Sequence, residues 1–554
     1  MSVHGTTVAA DDPGSFGKAL MQVGTGLAGR PFPALKWASR VTAGMAAAGV
    51  LSTARALGWE GRPGLAPSPK DRRFADPAWE AHPWFLAQRQ AYLAWSRCMR
   101  DLPEAAGMAG AAARKAEFAV DMVVDSLAPT NFLWGNPPAL RKAVETKGAS
   151  VVSGLRNLAD DVATNNARPR QVDASAFEVG SNLGCTPGKV VFRNDLIELL
   201  QYEPTTKTVF DVPLLLSPPW INRYYIMDLA PGRSFVEWAV SHGHTTFAIS
   251  YRNPDASMRD VRLDDYLVDG LDAAVDAVRR ITAAPKVNLA GLCVGGTLSV
   301  MLQAWLADAG EDKVRSATLL NTLVDFSEPG PLAAFTDAEA IEGVEAKMAE
   351  PGFLDGRHMA TTFDALRPND LIWNYVGTNW LMGDTPPAFD ILAWNADATR
   401  IPAATHSQYL RSFYLENRLA KGTMSLAGRP LRVDAITADT YVLGAKEDHI
   451  TPWASSYATT GLLETAAVRF VLSSAGHIAG IVNPPGPKRV HWINEALPRD
   501  PQEWLAGAVQ HTGSWWEDWA GWLGERAGRR RKPPAMGSAD HPVLGDAPGT
   551  YVLS

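Results

Sequence analysis

The sequence predicts an open, mostly parallel α/β sheet, preceded by a mainly helical region and interrupted by a long insertion. Three observations carry this. Short apolar runs at residues 213–216, 246–250, 287–290 and 317–320 alternate with helical spacing, the rhythm of βαβ units. That rhythm lapses after Leu320 and returns at residues 440–443 and 468–472. Residues 1–174 are rich in Ala, Arg and Trp at helical spacing and contain no series of alternating strands.

A chain of 554 residues, 46% hydrophobic and 20% charged, exceeds what one core serves. A helical N-terminal domain at 1–174 and a catalytic domain at 175–554 are therefore expected. The Trp-, Pro- and Asn-rich stretch at about 325–433 interrupts the second domain and reads as a cap over the active edge of its sheet. Between the second and third strands, Leu267, Leu271, Ala274, Val275, Val278 and Ile281 share one helical face that can cover the sheet. In the first domain, residues 41–51 (VTAGMAAAGVL) read as a helix packed within that domain, too short to span a bilayer; attachment to a lipid or polymer surface is the competing reading. Trp515, Trp516, Trp519 and Trp522 recur at helical spacing as a packing stripe, and the basic run 529–532 reads as a solvated tail.

Composition excludes several classes. The net charge of −7, from 59 acidic and 52 basic residues, supplies no excess of cations for nucleic acid. Cys98, Cys185 and Cys293 lack paired spacing, so neither a zinc site nor a disulfide framework is expected, and a cytosolic location is. The histidines form no ligand cluster, so no metal is expected. The opening residues carry no basic and apolar export signal, and no transmembrane segment is expected.

The strongest local signal is VNLAGLCVGGTLSV, a strand that ends in Gly291-Leu292-Cys293-Val294-Gly295 and runs straight into a helix. This is a nucleophile elbow. The sharp turn leaves room only for small residues at minus two and plus two, and Gly291 and Gly295 fill those positions. It also sets the sulfur at a helix N-terminus, where dipole and free N–H groups favour thiolate. In this fold the partners follow in the order acid, then histidine. Asp448, in YVLGAKEDHITPW, and His477, in FVLSSAGHIAG, each lie on a loop after a strand. His477 is favoured as the base over His449, which adjoins the acid and would have to turn back sharply. The expected architecture is thus an α/β-hydrolase fold with a cap insertion behind a helical domain. Its oxyanion hole takes one donor from the N–H of Val294. The loop Pro218-Pro219-Trp220-Ile221-Asn222 is the candidate for the second; Asn222 is taken for it, although sequence does not rank the loop's amides.

Sulfur at the elbow is informative. A cysteine exchanges one thioester for another at almost no free-energy cost, keeping the acyl group reactive for a later alcohol, provided water is excluded. The stretches GLCVGGT, SYRNPDASM, SPPWINRYYIMDL, GAKEDHITPW, SAGHIAGIVNPP and RRFADPAW together resemble the signatures of polyhydroxyalkanoate synthases, from about Arg72 to the C-terminus; no motif precedes Arg72. The resemblance implies a cysteinyl acyl-enzyme on Cys293, with His477 as base and Asp448 as third member. It implies a 3-hydroxyacyl-CoA substrate, CoA as leaving group rather than cofactor, and a growing polyester chain as product. It further implies a homodimer at the surface of cytoplasmic polyester granules, in contact with coat proteins (phasins). The RNPDAS wording resembles the class I enzymes, which act on short units such as 3-hydroxybutyryl. A thioesterase or hydrolase on the same scaffold is the alternative, and a silent granule-binding protein is a third reading.

Overall fold

The computed structural model describes residues 13–59, 64–463 and 466–554; the opening residues MSVHGTTVAADD, read as lacking an export signal, lie outside them. The chain divides into two compact units. One holds the residues up to Asp173 with Ala333–Phe335 and Thr361–Ala388, and the other holds Ala174–Leu332, Thr336–Ala360 and Phe389–Ser554.

The first unit is built on α1 (Pro13–Ala28), α2 (Pro31–Ala56), α3 (Pro83–Arg100) and α4 (Gly110–Ser126). Its core gathers Phe74, Trp79, Phe85, Tyr92, Leu93, Val120 and Val124. The RRFADPAW stretch feeds this core directly, with the Phe74 and Trp79 rings edge to face at 5.0 Å. Residues 41–51 lie within α2, where Ala48 is buried and Val50 is 71% exposed. Among the described residues no helix is long and apolar enough to cross a membrane. Residues 361–388, inside the stretch read as a cap, pack in this unit. Buried carboxylates hold them there: Trp380 Nε1 donates to Asp161 at 2.8 Å, and Arg168 Nε donates to Asp364 at 2.6 Å.

The second unit is an eleven-stranded sheet. Its strands are β1 (Gly188–Arg193), β2 (Ile197–Tyr202), β3 (Leu214–Ser217), β4 (Thr246–Tyr251), β5 (Val287–Leu292), β6 (Val314–Leu320), β7 (Asp439–Ala445), β8 (Val468–Ser473), β9 (Val490–Ile493), β10 (Val509–Thr512) and β11 (Gly545–Asp546). They lie in the order β10-β9-β8-β7-β6-β5-β3-β4-β2-β1-β11. The six strands from β4 to β8 in that order run parallel, and the flanking ones pair antiparallel. The chain passes from β3 to β4 on one side and then crosses to β5 on the other, so the strand order reverses at β3. A crevice opens outside the carboxyl ends of strands at such a reversal. The elbow and the 218–222 loop both emerge there.

Six of these strands are the apolar runs read from sequence, because parallel strands are buried on both faces and spell continuous Val, Leu and Ala. The helical face 267–281 is buried as expected, although Tyr266–Asp272 forms a π-turn before α5 (Ala273–Thr282). The elbow helix is α6 (Val294–Asp308) and the tryptophan stripe is α7 (Trp515–Gly524), whose four indoles are buried. The basic run is exposed at Arg529, Arg530 and Lys532, as expected of a solvated segment, but it is not a free tail. Arg530 and Arg531 pair as a short strand with Val209–Phe210, Arg530 stacks 3.9 Å over the Phe210 ring, and Arg531 lies 3.6 Å from Asp211. A ring and a carboxylate tie these side chains down although Arg530 stays exposed to solvent.

Trp519 is fully buried, donates from Nε1 to Thr318 Oγ1 at 3.0 Å and packs 4.5 Å from the Phe235 ring. Trp519→Ala should lower unfolding free energy by about 3–5 kcal/mol, measured by denaturant titration; a loss below about 1 kcal/mol would show that the stripe is not a core element.

Candidate active site

Cys293 sits between β5 and α6 with φ 51° and ψ −121°, a conformation that L-residues hold only under strain. The turn is fixed from both sides. The Cys293 N–H donates to Leu320 O at 2.9 Å, and the Cys293 carbonyl accepts from Gly296 N at 2.9 Å and Thr297 N at 3.1 Å. A Cβ on Gly291 would lie 2.5 Å from Gly296 Cα, and one on Gly295 would strike the backbone oxygens of Ser217 and Pro218. The two glycines are therefore required by close approach, and the second contact seats the 218–222 loop against the elbow.

Asp448 follows β7 and His477 follows β8, and the parallel register of these strands, Ala445 against Ser473, brings their loops together. His477 Nδ1 lies 2.6 Å from Asp448 Oδ2. His449 is not the partner. The carboxylate also accepts from Ile450 N at 2.8 Å, Thr451 N at 2.9 Å and Thr451 Oγ1 at 2.7 Å. The Cys293 sulfur lies close enough to the imidazole to act on its protonation. Burial acts to raise the Asp448 pKa, but the charge and hydrogen bond of His477 and the bonds from Thr451 outweigh it and hold the carboxyl low. Burial acts to lower the His477 pKa, yet the charges of Asp448 and Cys293 and their hydrogen bonds hold it raised.

Three supports for His477 were not read from sequence. Asn321, at φ 44°, donates from Nδ2 to the His477 carbonyl at 2.6 Å. Trp515 and Trp516 donate from Nε1 to the carbonyls of Gly480 and Ile481 at 2.7 and 2.9 Å, ending the short helix that His477 begins. The stripe expected only to pack thus also anchors the short helix that carries His477. Its spacing signalled burial, while the indole N–H partners lie 35 residues away.

The oxyanion side needs one correction. Val294 is the first residue of α6, where a backbone N–H has no acceptor within the helix. The N–H of Asn222 is not available, because it donates to Thr399 Oγ1 at 2.8 Å. Pro218 and Pro219 have no N–H, so the loop's available amides are those of Trp220 and Ile221. Two phenols, Tyr409 and Tyr414, stand near the sulfur. Trp220, Phe326 and Tyr409 belong to the core against which Cys293 packs, and Tyr414 lies 5.0 Å from the Phe326 ring. Burial, mutual contact and the nearby Cys293 raise the pKa of Tyr409, and burial and Cys293 raise that of Tyr414 despite its hydrogen bond from Tyr409. Both phenols therefore stay protonated. No spacing rule marks them in SQYLRSFYL. Among the described residues no group of His, Cys, Asp and Glu could hold a metal ion.

Residues 70–239 match the family described as Poly-beta-hydroxybutyrate polymerase (PhaC) N-terminus, and residues 232–484 match the alpha/beta hydrolase fold. The chain is 44% identical over 490 residues to Poly(3-hydroxyalkanoate) polymerase subunit PhaC of Cupriavidus necator, covering 87% of this chain and 83% of that one. It is 42% identical over 529 residues to Poly(3-hydroxyalkanoate) polymerase of Methylorubrum extorquens, covering 95% and 85%. It is 43% identical over 489 residues to Poly(3-hydroxyalkanoate) polymerase subunit PhaC of Rhizobium meliloti, covering 87% and 79%.

The acid and histidine give the site a pH signature. A raised His477 pKa contributes stability that is full below the free value of 6.5 and lost as pH rises through the folded value; a lowered Asp448 pKa contributes above 3.8 and loses as pH falls. Asp448→Asn should therefore lower the melting temperature most between pH 3.8 and 6.5 and least at strongly alkaline pH, followed by thermal denaturation. An equal loss at every pH would mean that the carboxylate charge does not hold the ring.

Proposed function

The chain belongs to the poly(3-hydroxyalkanoate) polymerase family, and from that premise we propose that Cys293 carries the acyl group as a thioester during polymerisation of short 3-hydroxyacyl units such as 3-hydroxybutyryl. The observation that carries this reading is the hydrogen bond between Asp448 and His477 beside a sulfur on a strained elbow, which acts on the protonation of the ring. The family's activity is acyl transfer.

In the proposed cycle, His477 takes the Cys293 proton and the thiolate attacks the thioester carbonyl of a 3-hydroxyacyl-CoA. The oxyanion of the tetrahedral intermediate meets the N–H of Val294 and an amide of the 218–222 loop. Its collapse breaks the bond to CoA, whose sulfur receives the proton from His477. A 3-hydroxyl then attacks the acyl-enzyme, giving its proton to His477 as the new oxyester forms and the Cys293 sulfur leaves. Asp448 holds Nδ1 and offsets the imidazolium charge in both halves. The first exchange is nearly isoenergetic and the second runs downhill. The apolar core against which Cys293 packs supports the reading because such surroundings limit water near an acylated sulfur.

By the same family likeness we read the active species as a cytoplasmic homodimer at a polyester granule, with coat proteins such as phasins as neighbours. The apolar side chains that α2 exposes, among them Phe32 at 84% and Val50 at 71%, support attachment to such a surface. A thioesterase would use the same three residues, with water in place of the hydroxyl.

Incubation with 3-hydroxybutyryl-CoA should release CoA together with high-molecular-weight polyester, and Cys293→Ala should lower that rate by about 10³-fold or more. CoA release yielding only free hydroxy acid would replace the reading with the thioesterase one.

A further inference from the structure

The correction at Asn222 points to a residue outside the triad. Thr399 is buried, and its hydroxyl accepts from the Asn222 N–H at 2.8 Å and donates to the Trp220 carbonyl at 3.4 Å. One side chain thus ties both ends of the tripeptide Trp220-Ile221-Asn222, whose last residue is held at φ 64°. Neighbouring residues repeat the tie: Trp394 Nε1 donates to the Arg223 carbonyl at 2.8 Å, and Asp397 accepts from Arg223 Nε at 3.2 Å and Tyr225 Oη at 2.9 Å. The opposite side of the loop rests on the elbow, where Ser217 Oγ donates to the Gly295 carbonyl at 3.2 Å.

From this arrangement we propose that Thr399 is a positioning residue for the oxyanion hole. By taking up the Asn222 amide and the Trp220 carbonyl it fixes the peptide planes between them and leaves the Trp220 and Ile221 N–H groups as the loop's donors at the elbow. A donor acts on a developing oxyanion only within about 2.7–3.1 Å of it, and a misplacement of about 1 Å can cost about 100-fold in rate. The clamp comes from residues 394–399, within the long insertion, so the oxyanion loop and this stretch of the insertion hold or move together. The inference rests on the acyl-enzyme reading of Cys293 and adds a residue that touches no reacting atom.

Thr399→Val removes the hydroxyl at nearly constant shape, Thr399→Ala removes it without crowding, and Thr399→Ser keeps it. Each is assayed for CoA release from 3-hydroxybutyryl-CoA, for the rate of Cys293 alkylation by iodoacetamide, and for thermal unfolding. Thr399→Val and Thr399→Ala should lose about tenfold or more in kcat with KM changed less than about threefold, while alkylation, which needs no oxyanion hole, stays within about twofold. Thr399→Ser should recover most of kcat. Wild-type kcat in both hydroxyl-free variants would overturn the inference. So would a fall in kcat matched by the fall in alkylation, or one that accompanies loss of the cooperative unfolding transition, since either assigns Thr399 to stability alone. Cys293→Ala is the control: CoA release that survives it would refute the acyl-enzyme reading instead.

Discussion

The backbone of Cys293, at φ 51° and ψ −121°, is the constraint on which the rest of the catalytic unit depends. Such a conformation costs about 1–3 kcal/mol and persists only where the surroundings over-determine it. Here the surroundings are β6, which takes the Cys293 N–H through Leu320, and the first turn of α6, which takes its carbonyl. Gly291 and Gly295 are absent side chains in the same sense, since each lets backbone approach where a Cβ would collide. The result is a sulfur presented at the strand reversal around β3, with the loops after β3, β7 and β8 around it.

Much of this was legible in sequence, for identifiable reasons. Parallel strands buried on both faces spell apolar runs, so β3 to β8 could be found, and the elbow's glycines are a local steric requirement. The pairing of Asp448 with His477 was legible because the fold orders acid before histidine along the chain. Other elements hide their cause at a distance. β1 and β2 carry Arg193 and Glu198, charges that argue against a buried strand; Glu198 is nevertheless fully buried, because Arg193 and the Thr550 and Tyr551 N–H groups satisfy it. Residues 361–388 looked like part of one insertion, yet their partners are carboxylates and helices of the first unit. Asn222 was misassigned because the acceptor of its amide, Thr399, lies 177 residues away.

The same geometry explains why sulfur and closure belong together. An acyl group on sulfur remains reactive toward an alcohol and equally toward water, so its lifetime depends on what surrounds it. Cys293 packs against a core that includes Trp220, Phe326 and Tyr409, and the nearby phenols of Tyr409 and Tyr414 stay protonated and carry no charge that would draw water in. His477 is held raised by Asp448 and Cys293, as the proposed proton shuttle requires. The buried pair of His477 and Asp448 suits such surroundings, because a charged pair interacts most strongly where water is excluded.

The central claim is that the growing acyl chain is bound to Cys293. It is tested most directly by mass spectrometry of the peptide containing Cys293 after rapid acid quenching of the protein during turnover of 3-hydroxybutyryl-CoA. The account predicts a hydroxyacyl adduct on Cys293 that is removed by hydroxylamine and absent when Cys293→Ala is quenched in the same way. Polyester formation with the Cys293 peptide always unmodified, or an adduct on Cys98 or Cys185 instead, would contradict it.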